Sequence, residues 1–550
     1  MAISLRPATG VAKRSIDMRH FNLFHLAMST LIALGAACDR DRERDTVADT
    51  RSDTETPDVA AEDGTTGEDG TSESDTSTDT GASVPPPPNI SEVLDCGNAE
   101  PAGPGNSKDL QRYEVDNGVF PDAICNNGDP AVFFFRPYKG EANRNKWLII
   151  LNGGGGCGTG PSCAARWCWC RSTDASAAGG CEFAEETTNF SMSTMNGDER
   201  AGIDGSGITL RGDPQRPNPL GDYNTVRIVY CSSDTWTGTR RAVPLSADHP
   251  KTGEEVSFSV HFLGSRIIDS VMDILRKSKG EPARFTFGDG AELPDLDDAT
   301  DVILSGDSAG GAGVIGNLDR VRDLLVANNT SCQNGNCPLV VRGMMDAIVG
   351  PDLSRLDFSE SALAEAGLGD SYIDFLAMSA AGPERNLGTR ADASCLEWHA
   401  QNAPGTSNMC FDAMHVIRHH VTTPFFVRMA LLDGLVSRSY IESGVKDPVL
   451  GKFDLQIFAQ VLQRELSEFP KLKETAEEKN KITTPPGVFA PACPKHDTLH
   501  SNTEVYGTSI TFEGKEYTLF DVFENWRSGG APQAVLTRKM DRSDTECGTP

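Results

Sequence analysis

The segment Ser305-Gly-Asp-Ser-Ala-Gly-Gly311 has the residue types and spacing of a nucleophilic serine set on a tight turn. Within it, Gly306-Asp-Ser-Ala-Gly310 fits a Gly-x-Ser-x-Gly pattern centred on Ser308. Val302-Ile-Leu304 reads as a short strand, and a helix is expected after Gly310. A serine at such a junction needs a strained backbone, so the residues two before and two after it must be small. Its hydroxyl then stands above the sheet at a helix N-terminus. A plain glycine corner between strand and helix is the bland alternative, and the strand–turn–helix context favours the elbow. Acyl transfer is the chemistry such a serine performs.

Acyl transfer also needs N–H donors aimed at a developing oxyanion. Leu151-Asn-Gly-Gly-Gly-Gly156 follows the apolar run Trp147-Leu-Ile-Ile150, and its glycines allow close backbone approach. Gly154 and Gly155, with Ala309 after the serine, are the expected donors. A phosphate-binding loop is excluded by the missing Gly-Lys-Ser/Thr ending.

In an α/β-hydrolase the acid and then the base follow the serine. Of ten histidines, His20 and His25 lie in the leader, and His249 and His261 precede Ser308. His399, His415, His419 and His420 fall in a helix-like insertion. His496 and His500 remain. His496 is preferred because Phe489-Ala-Pro-Ala-Cys-Pro-Lys-His496 has prolines and a cysteine to hold it rigid. The acid should end a strand between serine and base. Phe425–Leu432 reads as that strand, so Asp433 is preferred, with Asp346 and Asp352 as runners-up.

These residues need a sheet to hold them. Ala131–Arg136, Lys146–Leu151, Val226–Tyr230, Asp301–Leu304, Leu339–Met344 and Pro424–Leu432 read as buried parallel strands. Ser265–Lys277 and Gly311–Leu325 read as helices between them. The fold class is therefore α/β: an α/β-hydrolase-like, mostly parallel sheet flanked by helices, with several disulfides. Residues 351–423 break the rhythm and are expected to form a helical cap insertion.

The formal net charge of −29 excludes nucleic acid as a partner. Much of that charge is local. Asp39–Thr80 holds fifteen Asp and Glu against four Arg, a net −11. Residues 39–89 are thus expected to be a disordered acidic tether between a leader, 1–38, and the hydrolase domain, 90–550. The leader has Lys13, Arg14 and Arg19 before an apolar run ending at Gly35-Ala-Ala-Cys38. It reads as an export signal, with Cys38 as a candidate lipidation site despite Gly35 three residues before it. Membrane association is expected only through that lipid, since no later stretch has the ~18 apolar residues of a span. Fifteen cysteines less Cys38 leave an even fourteen. Cys157, Cys163, Cys168, Cys170, Cys181, Cys332 and Cys337 read as disulfide partners in an oxidising compartment. Zinc at these cysteines is disfavoured, because two well-spaced Cys-x-x-Cys pairs are absent. No metal and no cofactor are expected.

The chain resembles the pectin acetylesterase and Notum family of serine carboxylesterases from about Asn117 to Thr503. The resemblance rests on ordered motifs: Leu151-Asn-Gly-Gly-Gly-Gly-Cys157; Asn224-Thr-Val-Arg-Ile-Val-Tyr-Cys231 followed by Thr237-Gly238; Phe262-Leu-Gly-Ser-Arg266; Ser305–Ala312; Pro424-Phe-Phe-Val427 before Asp433; and Phe489–Cys493 before His496. It implies an extracellular, disulfide-rich esterase with Ser308, Asp433 and His496 as nucleophile, acid and base. Two departures stand out. The family usually has Trp where this chain has Gly155 or Gly156, which opens the pocket floor. It usually has Cys or Asn where this chain has Asp307, which adds a carboxylate beside the serine. The implied reaction is hydrolysis of a carboxylic ester on a carbohydrate or other acyl-ester substrate, with polysaccharide deacetylation first and a lipid or fatty-acyl ester second. Gly-Asp-Ser-Ala-Gly also suits the hormone-sensitive-lipase group, but the His before its glycines is Asn152 here. A non-catalytic carbohydrate binder on the same fold is the alternative of another class; it has no need of all three reacting residues.

Overall fold

A computed structural model describes residues 86–94, 109–169, 202–249, 252–280, 293–332, 336–357, 388, 390–404, 407–442, 444–473, 475 and 482–548. The leader, Cys38, most of the tether, Cys170, Cys181 and the side chain of Cys168 lie outside them.

A ten-stranded sheet organises the chain. Its order from one edge is Ala534–Leu536, Gly487–Ala490, Phe425–Arg428, Val340–Asp346, Asp301–Asp307, Lys146–Leu151, Asn224–Ile228, Val132–Arg136, Leu110–Glu114 and Gly202–Ile203. The first seven strands run parallel; the remaining pairings are antiparallel. Asp301–Asp307 sits between two parallel neighbours, and Val302, Ile303 and Leu304 are fully buried. This is why they form a continuous apolar run rather than an alternating one. Truncating Leu304 to Ala there is expected to cost about 2–5 kcal/mol.

Helices cover the sheet. Gly264–Ile274 buries the face made by Ile267, Ile268, Val271, Met272 and Ile274. Ala309–Asn328 follows the central strand directly and packs on it. An antiparallel hairpin, Arg240–Asp248 with Glu255–Phe262, packs with Leu94, Ile90 and Trp167 of helix Gly160–Trp169 in a separate apolar cluster. Among the described residues, five disulfides pair Cys125–Cys231, Cys157–Cys163, Cys332–Cys337, Cys395–Cys410 and Cys493–Cys547. Such bonds suit an oxidising compartment.

Three expectations need correction. The strand Val132–Arg136 is antiparallel to Asn224–Ile228, not parallel, because a buried apolar run carries no direction. The strand expected at Pro424–Leu432 ends at Arg428, although Met429 and Leu431 still donate to the carbonyls of Phe489 and Pro491. Two strands beyond it, Gly487–Ala490 and Ala534–Leu536, extend the sheet where no residues had been assigned to a strand. Residues 358–387 of the expected cap lie outside the described residues. Its described part is helical and packs against Ala309–Asn328, where Asp319 accepts the N–H groups of Thr422 and Thr423.

Candidate active site

Ser308 stands at the carboxyl end of the central strand, as N-cap of helix Ala309–Asn328. Its φ of 50° and ψ of −122° are strained for a residue with a side chain. The flanking glycines are what permit the turn. A Cβ on Gly306 would stand 2.3 Å from the Gly310 carbonyl oxygen, and one on Gly310 would stand 1.9 Å from that of Leu151. The carboxyl ends of parallel strands are where open α/β sheets bind ligands.

Loops from two other strands converge on this serine. Nε2 of His496 is 2.9 Å from Ser308 Oγ, and Nδ1 of His496 is 2.8 Å from Asp433 Oδ2. His496 leaves strand Gly487–Ala490 through a loop that Cys493 ties to Cys547. Asp433 lies five residues past its strand, in the turn opening helix Gly434–Glu442. There its Oδ1 accepts the N–H groups of Leu435 and Val436 at 2.9 and 3.1 Å. The carboxylate is thus fixed by a helix N-terminus rather than a strand end. Asp433 is fully buried. Burial alone would depress the imidazole pKa of His496, but the charge and hydrogen bond of Asp433 outweigh it and raise the value to about 8.

The other candidates have different partners. Asp346 receives Arg428 at 3.0 Å on one oxygen and Thr498 on the other. Asp352 belongs to a separate buried group with Asp412 and Glu465. Nε2 of His500 lies 3.2 Å from Asp307, not at the serine.

A family model described as pectinacetylesterase matches residues 106–547, most of the chain. The chain belongs to the pectinacetylesterase family. Among curated proteins it is similar to palmitoleoyl-protein carboxylesterase NOTUM of Drosophila melanogaster, 30% identical over 259 residues, and to palmitoleoyl-protein carboxylesterase notum1a of Danio rerio, 31% identical over 240 residues. These stretches cover 47% and 44% of this chain but only 30% and 36% of the relatives. A crystal structure of the Wnt deacylase Notum from Drosophila aligns over 78% of this chain and 97% of its own, at 22% identity and a TM-score of 0.49.

In this pectinacetylesterase-family chain the glycine loop 152–156 runs beside Ser308. Arg227 donates to the Asn152 side chain at 2.8 Å and Trp236 to the Asn152 carbonyl at 2.9 Å, pinning the start of the loop. Gly153 donates to Asp307 Oδ1 at 3.1 Å. Gly154 and Gly155 follow with φ of 139° and 67°. Among the described residues, no acceptor takes the N–H of Gly154, Gly155 or Ala309.

Asp307 therefore points toward the glycine loop. It is fully buried, and its carboxyl meets that of Asp497. Burial pushes both up, Asp497 well above the usual carboxylate value. Sequence reasoning singled out none of Arg227, Trp236 or Asp497 as part of the site. Only Asp497 offered a signal, its place next to His496.

An open cleft of about 780 Å³ borders His496. Leu435, Arg438, Lys495, Ser501 and Glu504 line it, so its wall is mixed polar and apolar.

Proposed function

We propose that this protein is an exported serine carboxylic ester hydrolase that deacetylates a polysaccharide. The observation that carries the reading is the unbroken hydrogen-bond chain from Asp433 through His496 to a strained Ser308. Ser308 Oγ attacks the ester carbonyl carbon while His496 Nε2 takes its proton, and Asp433 stabilises the imidazolium. The tetrahedral oxyanion accepts hydrogen bonds from the N–H groups of Gly154, Gly155 and Ala309, which have no other acceptor among the described residues. Collapse expels the alcohol, which takes the proton from His496, and leaves Ser308 acylated. Water, deprotonated by His496, then releases the carboxylic acid and restores the serine.

Family membership supports acetyl removal as the first substrate reading. The similar curated proteins are named palmitoleoyl-protein carboxylesterases, and this favours a fatty-acyl ester as the second. Glycine at Gly155 and Gly156 leaves room beside the donors for either. Hydrolysis of p-nitrophenyl esters of rising acyl length separates them. A kcat/KM that is highest at acetate and falls with chain length supports deacetylation; a maximum at long acyl chains replaces it with the second reading. A binding module without catalysis is left if no ester is turned over at any length.

Cys38 as a lipid anchor and the acidic stretch as spacer complete the proposal. Some forty flexible residues have an r.m.s. reach of roughly 35 Å. Mass spectrometry of the mature N-terminus tests this, with a diacyl or triacyl adduct expected; an unmodified Cys38 leaves plain secretion.

A further inference from the structure

Four of the chain's ten histidines gather in one cluster apart from Ser308, Asp433 and His496, with His399, His415 and His420 buried. His399 comes from helix Ala393–Asn402, His415 and His419 from helix Ala413–His419, and His420 follows that helix. Nε2 of His399 and Nε2 of His415 face each other at 3.0 Å. The ring of His420 stands 5.8 and 5.3 Å from theirs, centroid to centroid. One ligand atom each from Cys395, His399, His415 and His420 lies within 4.8 Å of all the others. Nδ1 of His415 has no hydrogen-bond partner among the described residues.

This arrangement is costly as a mere packing core, since each buried ring brings two polar nitrogens. Two neutral imidazoles facing at 3.0 Å can place only one proton between them. A cation lets both lone pairs point inward. We propose that His399, His415 and His420 form a site for a divalent transition ion, zinc in the first instance. Imidazole suits zinc, cobalt, nickel and copper, whereas calcium and magnesium take oxygen ligands. Two nitrogens on a tetrahedral zinc with ~2.05 Å bonds stand roughly 3.3 Å apart, so the His399–His415 pair needs to open by only about 0.3 Å. Cys395 supplies no thiolate while it is bonded to Cys410, and the ligand set is three nitrogens.

The surroundings fit such a site. The Trp398 ring packs edge-on against His399 at 4.9 Å and gives the cluster an apolar wall. His419 stacks on His415 at 4.4 Å, and its Nε2 lies 3.6 Å from Asp352, which places a carboxylate outside the three ligands. The ion would clamp helices Ala393–Asn402 and Ala413–His419 together, next to Thr422 and Thr423, whose N–H groups dock on Asp319 of the helix that begins after Ser308. Its role is structural.

The test uses full-length protein, purified without reductant, loaded with zinc and dialysed. Elemental analysis should find about one zinc per chain, and loading should raise Tm by several degrees. His415→Phe and His420→Phe fill the volume but remove nitrogens. They should lose the zinc and the zinc-dependent Tm rise while still hydrolysing p-nitrophenyl acetate. If those variants do not fold, the absorption of the cobalt-loaded wild type decides: visible bands of tetrahedral cobalt support the site, and their absence overturns it. Substoichiometric zinc with an unmoved Tm in the wild type overturns the proposal, as does full retention of zinc by a folded His415→Phe variant.

Discussion

Nδ1 of His496 lies 2.8 Å from Oδ2 of Asp433, and the other oxygen of that carboxylate is held by two N–H groups of a helix N-terminus. The carboxylate therefore cannot rotate away from the imidazole without breaking backbone hydrogen bonds. If Asp433 is the acid, Asp433→Asn should lower kcat by about 10⁴-fold with the fold intact. Steady-state kinetics on Asp346→Asn and Asp352→Asn give the comparison. Asp346 already serves Arg428 and Thr498, so its loss should lower Tm more than it lowers kcat/KM.

The pH profile follows from the same pair. His496 must be neutral to accept the serine proton, and its pKa is raised to about 8. Plotted against pH, kcat/KM should rise up to about 8 and then level off. Asp433→Asn removes the groups that raise the value, so residual activity should show its midpoint at lower pH. The sign for stability is opposite. The folded value exceeds the ordinary 6.5, so the pair's contribution is complete below 6.5 and is lost as pH rises through 8. Thermal melts across that range check it.

Much of this site was legible in the sequence, for a physical reason. Strand Lys146–Leu151 appears residue for residue because it is buried on both faces and reads as one apolar run. Ser308 was legible because the turn tolerates only glycine at Gly306 and Gly310. Strand Gly487–Ala490 was not, since four residues ending at Pro491 show no period. Asp433 was reached by a partly wrong route: the strand it was expected to end stops at Arg428, and a helix N-terminus holds it. The direction of the Asp307 side chain was beyond the sequence, because it depends on a loop more than 150 residues away, at Gly153. The four histidines were visible together in the insertion, but that His399 and His415, 16 residues apart, face each other depends on how their two helices pack.

Asp307 is expected to position the glycine loop. Asp307→Asn keeps an acceptor for Gly153 and a donor toward Asp497, so kcat/KM should stay close to wild type. Asp307→Ala removes both and should cost roughly 1–3 kcal/mol, about 5–160-fold, in kcat/KM. Equal losses in the two variants would point to the charge rather than the hydrogen bonds.

Cys493–Cys547 closes a loop of 54 residues and anchors the segment that carries His496. Replacing both cysteines by serine should cost about 2–4 kcal/mol of stability. A looser imidazole should also lower kcat more than it raises KM. Chemical denaturation and initial rates measure the two effects separately.

Covalent labelling of Ser308 tests the central claim most directly. Wild-type protein treated with a fluorophosphonate should gain one adduct by intact mass, and peptide mapping should place it on Ser308. Ser308→Ala should take no label and should lose about 10⁴-fold or more in kcat while melting as a folded protein. An adduct on another residue, or near-normal turnover by the alanine variant, would contradict the account.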